Sequence, residues 1–277
     1  MDASDRQPTP EQTAARGPRR RALVTGASAG IGAAFADRLA RDQYDLVLVA
    51  RDGERLEALA KRLEGRSGIR AEVEPADLTA PEERARVEAR LAEWAPDLLV
   101  NNAGFGTVGR FAELDLEREV REIELNVIAL VRLARSVLPR MVERGHGAII
   151  NVSSLAGESA TPYNATYGAT KAFVTSFSEA LHEEARDTGV RVQALLPGFT
   201  RTEFQERAGI STDSLPEFAW MSAEAVVDAS LSALERNAAI CVPGASNRAL
   251  STAQRWLPRG LRRRAVGLLT RSALTPD

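Results

Sequence analysis

Tyr167 and Lys171 stand four residues apart in Tyr167-Gly168-Ala169-Thr170-Lys171, so on a helix they share one face. A phenol beside an ammonium is a proton donor and acceptor pair, because the cation favours the phenolate. The same spacing also suits a solvated helix face, so the pair needs a context. Part of that context is Gly26-Ala27-Ser28-Ala29-Gly30-Ile31-Gly32, which follows the apolar run Arg21-Ala22-Leu23-Val24-Thr25 and precedes an alanine-rich helical pattern reaching about Arg41. Strand, glycine turn and helix in that order let a pyrophosphate approach bare backbone amides at a helix N-terminus. Glycines kept only for turn geometry are the alternative reading.

The elements that must position these groups alternate along the chain. Strands are expected at Arg21–Thr25, Asp45–Ala50, Ile69–Glu74, Asp97–Val100, Ala148–Val152, Val190–Leu196 and Ala239–Val242, each a short apolar run. Between them, helical patterns run from Asp52, as N-cap, to about Leu63, over Pro81–Trp94, over Leu116–Pro139, from about Asn164 to Thr188, and over Ala223–Arg236. Alternation of this kind predicts an α/β fold, a Rossmann-type doubly wound parallel sheet of about seven strands flanked by helices, with ligands beyond the carboxyl ends of the strands.

At 277 residues and 44% hydrophobic content the chain can bury one large core. A formal net charge of -2 gives no long-range field that would gather nucleic acid. One cysteine, Cys241, and two histidines, His146 and His182, provide neither an internal disulfide nor metal-ligand spacing. With neither an apolar signal region nor a run of about 18 apolar residues, the expectation is a soluble cytoplasmic protein. Residues 1–18, rich in proline and polar residues, read as a disordered tail, residues 19–244 as a single Rossmann-type catalytic domain, and residues 245–277 as a basic amphipathic extension. That extension carries seven arginines against one acid, Asp277, a pattern suited to an anionic membrane surface or to packing on the substrate cleft or a partner subunit.

The glycine turn, Asn101-Asn102-Ala103-Gly104, Asn126, Ser154, the Tyr167–Lys171 pair and Pro197-Gly198 occur in the order found in the short-chain dehydrogenase/reductases, which the chain resembles over about residues 20–245. Three residues between the first two glycines and one before the third match this family rather than the commoner dinucleotide fingerprint. The resemblance implies hydride transfer between a nicotinamide cofactor and a carbonyl or secondary alcohol. Tyr167 would be the general acid/base, Ser154 would hydrogen-bond the carbonyl oxygen, Lys171 would lower the Tyr167 pKa and bind the nicotinamide ribose, and Asn126 would hold a water in a proton relay. Cofactor contacts are implied for Gly26, Ser28, Ala29, Gly30, Ile31, Gly32, Asp77, Leu78, Asn102, Ala103, Gly104, Pro197, Gly198, Thr200 and Thr202, besides Tyr167 and Lys171. Plain structural roles compete at several of these: Asp77 as a turn or cap, Asn126 as a satisfied core asparagine, Pro197-Gly198 as a turn.

Where NAD-specific relatives carry an acid at the end of the second strand, this chain has Ala50 followed by Arg51. An uncharged residue and a guanidinium suit a 2′-phosphate, so NADP(H) is expected over NAD(H). Phe105–Phe111 and Glu203–Met221 are expected beside the substrate, the latter as a mobile lid or wall, with Phe105, Val108, Phe111, Leu155, Phe199 and Trp220 suggesting an apolar or mixed carbonyl compound. A homodimer or homotetramer is implied by the resemblance. The competing class of function is a catalytically silent NADPH-binding sensor or scaffold on the same fold.

Overall fold

The computed structural model describes residues 19–209 and 217–256, together with 260, 263, 264 and 267. Seven parallel strands form one sheet in the order β3-β2-β1-β4-β5-β6-β7. They are β1 (Arg21–Thr25), β2 (Asp45–Ala50), β3 (Ala71–Pro75), β4 (Leu98–Asn101), β5 (Gly147–Val152), β6 (Val190–Leu195) and β7 (Ile240–Cys241). The helices are α1 (Gly30–Arg41), α2 (Gly53–Ser67), α3 (Pro81–Trp94), α4 (Leu116–Ile123), α5 (Leu130–Arg144), α6 (Ala165–Glu184), α7 (Ala223–Glu235) and α8 (Ala245–Trp256). The order of strands reverses between β1 and β4, the place where a doubly wound sheet opens a crevice.

Strand periodicity explains the two cores. Along β2, Leu46 and Leu48 face one layer with Phe35 and Leu39 of α1, Leu56 and Leu63 of α2, and Val226 and Leu231 of α7. Val47 and Val49 face the other, with Val87 and Leu91 of α3 and Leu133, Val137 and Met141 of α5. A sheet buried on both faces accounts for strands that read as unbroken apolar runs.

Several boundaries differ from expectation. The helix expected over Leu116–Pro139 is three pieces: α4, a π-helical stretch Glu124–Ala129, and α5, which runs through Pro139 to Arg144. Proline removes one donor from the ladder, yet burial of Val137 and Met141 on either side of it outweighs that loss. The π-helical stretch accommodates one extra residue per turn, and it falls at Asn126. Helix α2 extends past Leu63 to Ser67, where Gly68 in the left-handed region caps it. Its N-terminus is as expected, with the Asp52 side chain accepting from the Arg55 N–H at 3.0 Å. The third strand begins at Ala71 rather than Ile69, α6 ends at Glu184 rather than Thr188, and β7 is confined to Ile240–Cys241.

Of the segment expected as a lid, Phe204–Arg207 forms one helical turn and Glu217–Ala219 a short 3-10 turn. Residues 210–216 lie outside the described residues, as do the tail 1–18 and most of 257–277. No helix among the described residues is long and apolar enough to cross a membrane, and no group of three or more His, Cys, Asp or Glu among them is arranged to hold a metal ion.

Candidate active site

The predicted site residues converge at the carboxyl edge of the sheet because each follows the end of a strand: Gly26 after β1, Arg51 after β2, Asp77 after β3, Asn102–Gly104 after β4, Ser154 after β5, and Pro197–Thr202 after β6. Helix α6 then brings Tyr167 and Lys171 across the ends of β4 and β5.

The glycine turn is closed by side chains from β4's end. Gly26 and Gly30 have φ of 65° and 56°, in the left-handed region that glycine tolerates. Asn102 Nδ2 donates to the carbonyls of Thr25 at 2.9 Å and Gly26 at 3.3 Å, and Thr25 Oγ1 accepts from the Asn102 and Ala103 N–H groups, both at 2.9 Å. A Cβ on Gly32 would stand 2.2 Å from the Gly26 oxygen, so the turn closes only on bare backbone. A Cβ on Gly30 would stand 3.0 Å from Thr202 Cγ2, which sets Thr202 against the glycine turn. Ala29, Gly30 and Ile31 open α1, whose N-terminus has no side-chain cap. Bare backbone at an uncapped helix N-terminus fits a pyrophosphate.

Around the proton-transfer pair the geometry is tighter. The Ser154 hydroxyl accepts from the Ala156 N–H at 3.1 Å and lies near enough to the Tyr167 phenol to favour its ionised form. Ser153, the neighbouring serine, is turned away and buried, donating to the Lys171 carbonyl at 2.7 Å, which fixes the register between β5 and α6. Lys171 Nζ donates to the Val152 carbonyl at 2.8 Å and lies 5.6 Å from the Tyr167 ring centroid. Burial pushes the Tyr167 phenol up to about 12, opposed by Ser154 and reinforced by Glu122. Burial also brings Lys171 down to about 8, with Glu122 acting to raise it. Desolvation of the phenolate is thus the largest effect on Tyr167, exceeding the opposing effect of Ser154.

The Asn126 side chain is fully engaged. Its Oδ1 accepts from the Phe105 N–H at 3.2 Å, and its Nδ2 donates to the Phe105 carbonyl at 2.9 Å and to Thr170 Oγ1 at 3.1 Å. It thus clamps the loop after β4 onto α6. A Cβ on Gly104 would lie 2.8 Å from Asn126 Oδ1 and 3.4 Å from Lys171 Nζ, so these two side chains meet under Gly104.

Asp77 and Leu78 follow the end of β3. The Asp77 carboxylate accepts from the N–H and hydroxyl of Thr79 at 3.0 and 2.7 Å and from Arg121 at 3.3 Å. Partial burial acts to raise it, and these contacts outweigh that effect and hold it below the ordinary carboxylate range. Leu78 is buried in the core. The turn reading describes these contacts. Arg51 is exposed and makes no ion pair within 4 Å among the described residues, while its charge helps to hold the Asp77 carboxyl down. On the substrate side, Phe204 stands 5.6 Å from the Tyr167 ring, and Phe199 stands 5.7 Å from Trp220.

Sequence reasoning missed Thr25, Thr107, Glu119, Glu122 and Asn164. Thr25 was detectable as a hydroxyl at the last buried position of an apolar strand. Lys171 carried a signal that went unread: it is one of two lysines in a chain whose other basic side chains are arginine and histidine. A buried cation that must shift its proton affinity is a task for lysine and not for arginine.

The chain belongs to the short-chain dehydrogenase family, whose family model matches residues 20–212. It is similar to a short-chain dehydrogenase from Sphingobium yanoikuyae in complex with NADPH, at 44% identity and a TM-score of 0.79, covering 91% of this chain and 95% of that one. It is also similar to the bulky-bulky ketone specific alcohol dehydrogenase from Comamonas testosteroni, at 38% identity and a TM-score of 0.75, covering 91% of this chain and 94% of that one. The very-long-chain 3-oxoacyl-CoA reductase of Bos taurus is 35% identical over 186 residues, which span 66% of this chain and 60% of the bovine protein's length.

Proposed function

We propose that the protein is an oxidoreductase that transfers a hydride between NADP(H) and a carbonyl or secondary alcohol. The observation that carries this reading is the gathering of Ser154, Tyr167 and Lys171, with the Lys171 ammonium 5.6 Å from the Tyr167 ring centroid, beside a glycine turn of bare backbone. The cofactor, when bound, supplies or accepts the hydride. Gly26, Ser28, Ala29, Gly30, Ile31 and Gly32 would hold its pyrophosphate end, Arg51 the 2′-phosphate, Asn102–Gly104 the ribose, and Pro197, Gly198, Thr200 and Thr202 the carboxamide. Asp77 and Leu78 would contribute through their backbone, since the Asp77 carboxylate is engaged and the Leu78 side chain is buried.

In the reduction, Tyr167 gives its proton to the carbonyl oxygen as alkoxide character develops, and Ser154 donates a hydrogen bond to the same oxygen. Lys171 contributes positive charge next to the phenol. Asn126 holds the Gly104–Phe105 backbone over Lys171, so that a path for the replacement proton lies between them. NADPH-bound and ketone-specific relatives support the cofactor and the substrate class. The apolar side chains Phe199, Phe204 and Trp220 support a bulky apolar carbonyl compound.

Residues 19–244 form one catalytic unit, and α8 opens the C-terminal extension by packing on the cleft: Ser251 donates to Glu158 at 2.7 Å, and a Cβ on Gly198 would lie 2.7 Å from the Asn247 amide. A cytoplasmic homo-oligomer fits the exposed apolar side chains Leu116, Val120 and Ile123 on α4. NADPH consumption over a panel of aldehydes and ketones tests the reading against a silent NADPH-binding sensor. Turnover of bulky ketones with kcat/KM higher for NADPH than for NADH is expected. Tight NADPH binding with no turnover across the panel would favour the sensor.

A further inference from the structure

Two carboxylates lie sealed behind the proton-transfer pair. Glu122 has no exposed surface and Glu119 is 4% exposed, one turn apart on α4. Glu122 Oε2 accepts from Thr107 Oγ1 at 2.9 Å, and Glu119 Oε2 accepts from the Thr166 hydroxyl in the first turn of α6. In both residues Oε1 is buried without a hydrogen-bond partner. Thr107 is itself fixed, its carbonyl accepting from Asn164 at the start of α6. Its neighbour Gly106 lies flat on the catalytic ring, where an added Cβ would be 2.9 Å from Tyr167 Cδ2.

Buried charge is costly unless it faces an opposite charge. Lys171 has no ion pair within 4 Å among the described residues, and its ammonium donates to the neutral Val152 carbonyl and lies near the Tyr167 ring. The charged groups facing Glu122 are Glu119 on its own helix and Lys171 on α6, with the Tyr167 phenol beside them.

We propose that Glu122 is a positioning residue that supplies the negative charge facing the Lys171 ammonium from behind the site. This rests on the hydride-transfer reading for its purpose, though its test does not need turnover. Burial, with repulsion from Glu119, holds the Glu122 carboxyl up to about 7, so that it is charged at the pH where Lys171, at about 8 with Glu122 acting to raise it, begins to lose its proton. Thr107 acts in the opposite direction and keeps the carboxylate accessible. Glu122 thereby extends the pH range over which the lysine stays charged.

The chain's two lysines, Lys61 and Lys171, make this directly measurable. In protein labelled with ε-¹³C lysine, two side-chain signals titrate, and Lys61→Arg assigns them. Glu122→Gln keeps the size and the acceptor for Thr107 while removing the charge, and should move the Lys171 midpoint down by about one pH unit, leaving Lys61 where it was. Thr107→Val, which keeps Glu122 but removes its hydrogen bond, should move Lys171 in the same direction by less, and serves if Glu122→Gln does not fold. A Lys171 midpoint that stays in place or rises in the variant would overturn the proposal. Absence of turnover in the wild type would instead remove the hydride-transfer reading and leave this measurement standing.

Discussion

Arg51 and Glu122 illustrate opposite electrostatic situations. Arg51 is exposed at the end of β2, with its charge acting on Asp77 and within the proposed reach of a phosphate. A charge-assisted contact of that kind contributes about 1.5–3 kcal/mol, so Arg51→Ala should lower kcat/KM for NADPH by roughly 10–100-fold and change that for NADH little. Equal losses with both cofactors would show that Arg51 does not read the 2′-phosphate. Glu122 is in the interior, with its carboxyl raised from 4.5 to about 7, so the fold favours its protonated form. That stabilisation is fully present below about 4.5 and is lost as pH rises through about 7. The Tm of the wild type relative to Glu122→Gln should therefore decline between those pH values in thermal unfolding scans. A difference that stays flat or grows with pH would contradict the burial argument.

Among elements, the join between β1 and α1 tolerates the least change. A methyl group added at Gly32 would lie 2.2 Å from the Gly26 oxygen, against backbone that cannot yield. Gly32→Ala should cost about 1–3 kcal/mol of stability and weaken NADPH binding more than tenfold, read by chemical denaturation and cofactor fluorescence titration. Unchanged binding would mean that the turn is not the pyrophosphate site. This join was legible in the sequence because glycine spacing and a strand-to-helix change are local signals, as were the Asp52 cap and the alternating strands. The π-helical stretch at Asn126 and the passage of α5 through Pro139 were not, because packing by Val137 and Met141 overrides the local propensity. Nor were the roles of Thr107, Glu119 and Glu122 visible, since Thr107 and Glu122 are 15 residues apart, Glu119 and Thr166 are 47 apart, and only the fold brings the loop after β4 and the start of α6 against α4.

For the whole molecule, the open question is what covers its apolar surface. Leu116, Val120 and Ile123 on α4 share one stripe and are 65%, 43% and 42% exposed, and Phe173 on α6, 42% exposed, stacks on Phe177. Contiguous exposed apolar side chains of this kind mark an interface, and a second copy of the chain fits the homo-oligomer reading. Light scattering should give a dimer or tetramer for the wild type, with Phe173→Glu shifted towards monomer. A monomeric wild type would show the stripe to be covered otherwise. The C-terminal extension separates in the same way: α8 packs on the cleft, so removing residues 245–277 should impair substrate turnover without altering liposome sedimentation, and loss of sedimentation would favour a membrane role.

In the proposed hydride transfer Tyr167 is the proton donor, and one substitution addresses it. Tyr167→Phe keeps the ring beside Phe204 and removes only the hydroxyl near Ser154. Paired measurements of NADPH affinity and of ketone-dependent NADPH oxidation should show binding within about threefold of the wild type and turnover reduced by ~10²–10⁴. Turnover equal to that of the wild type would contradict this role for Tyr167.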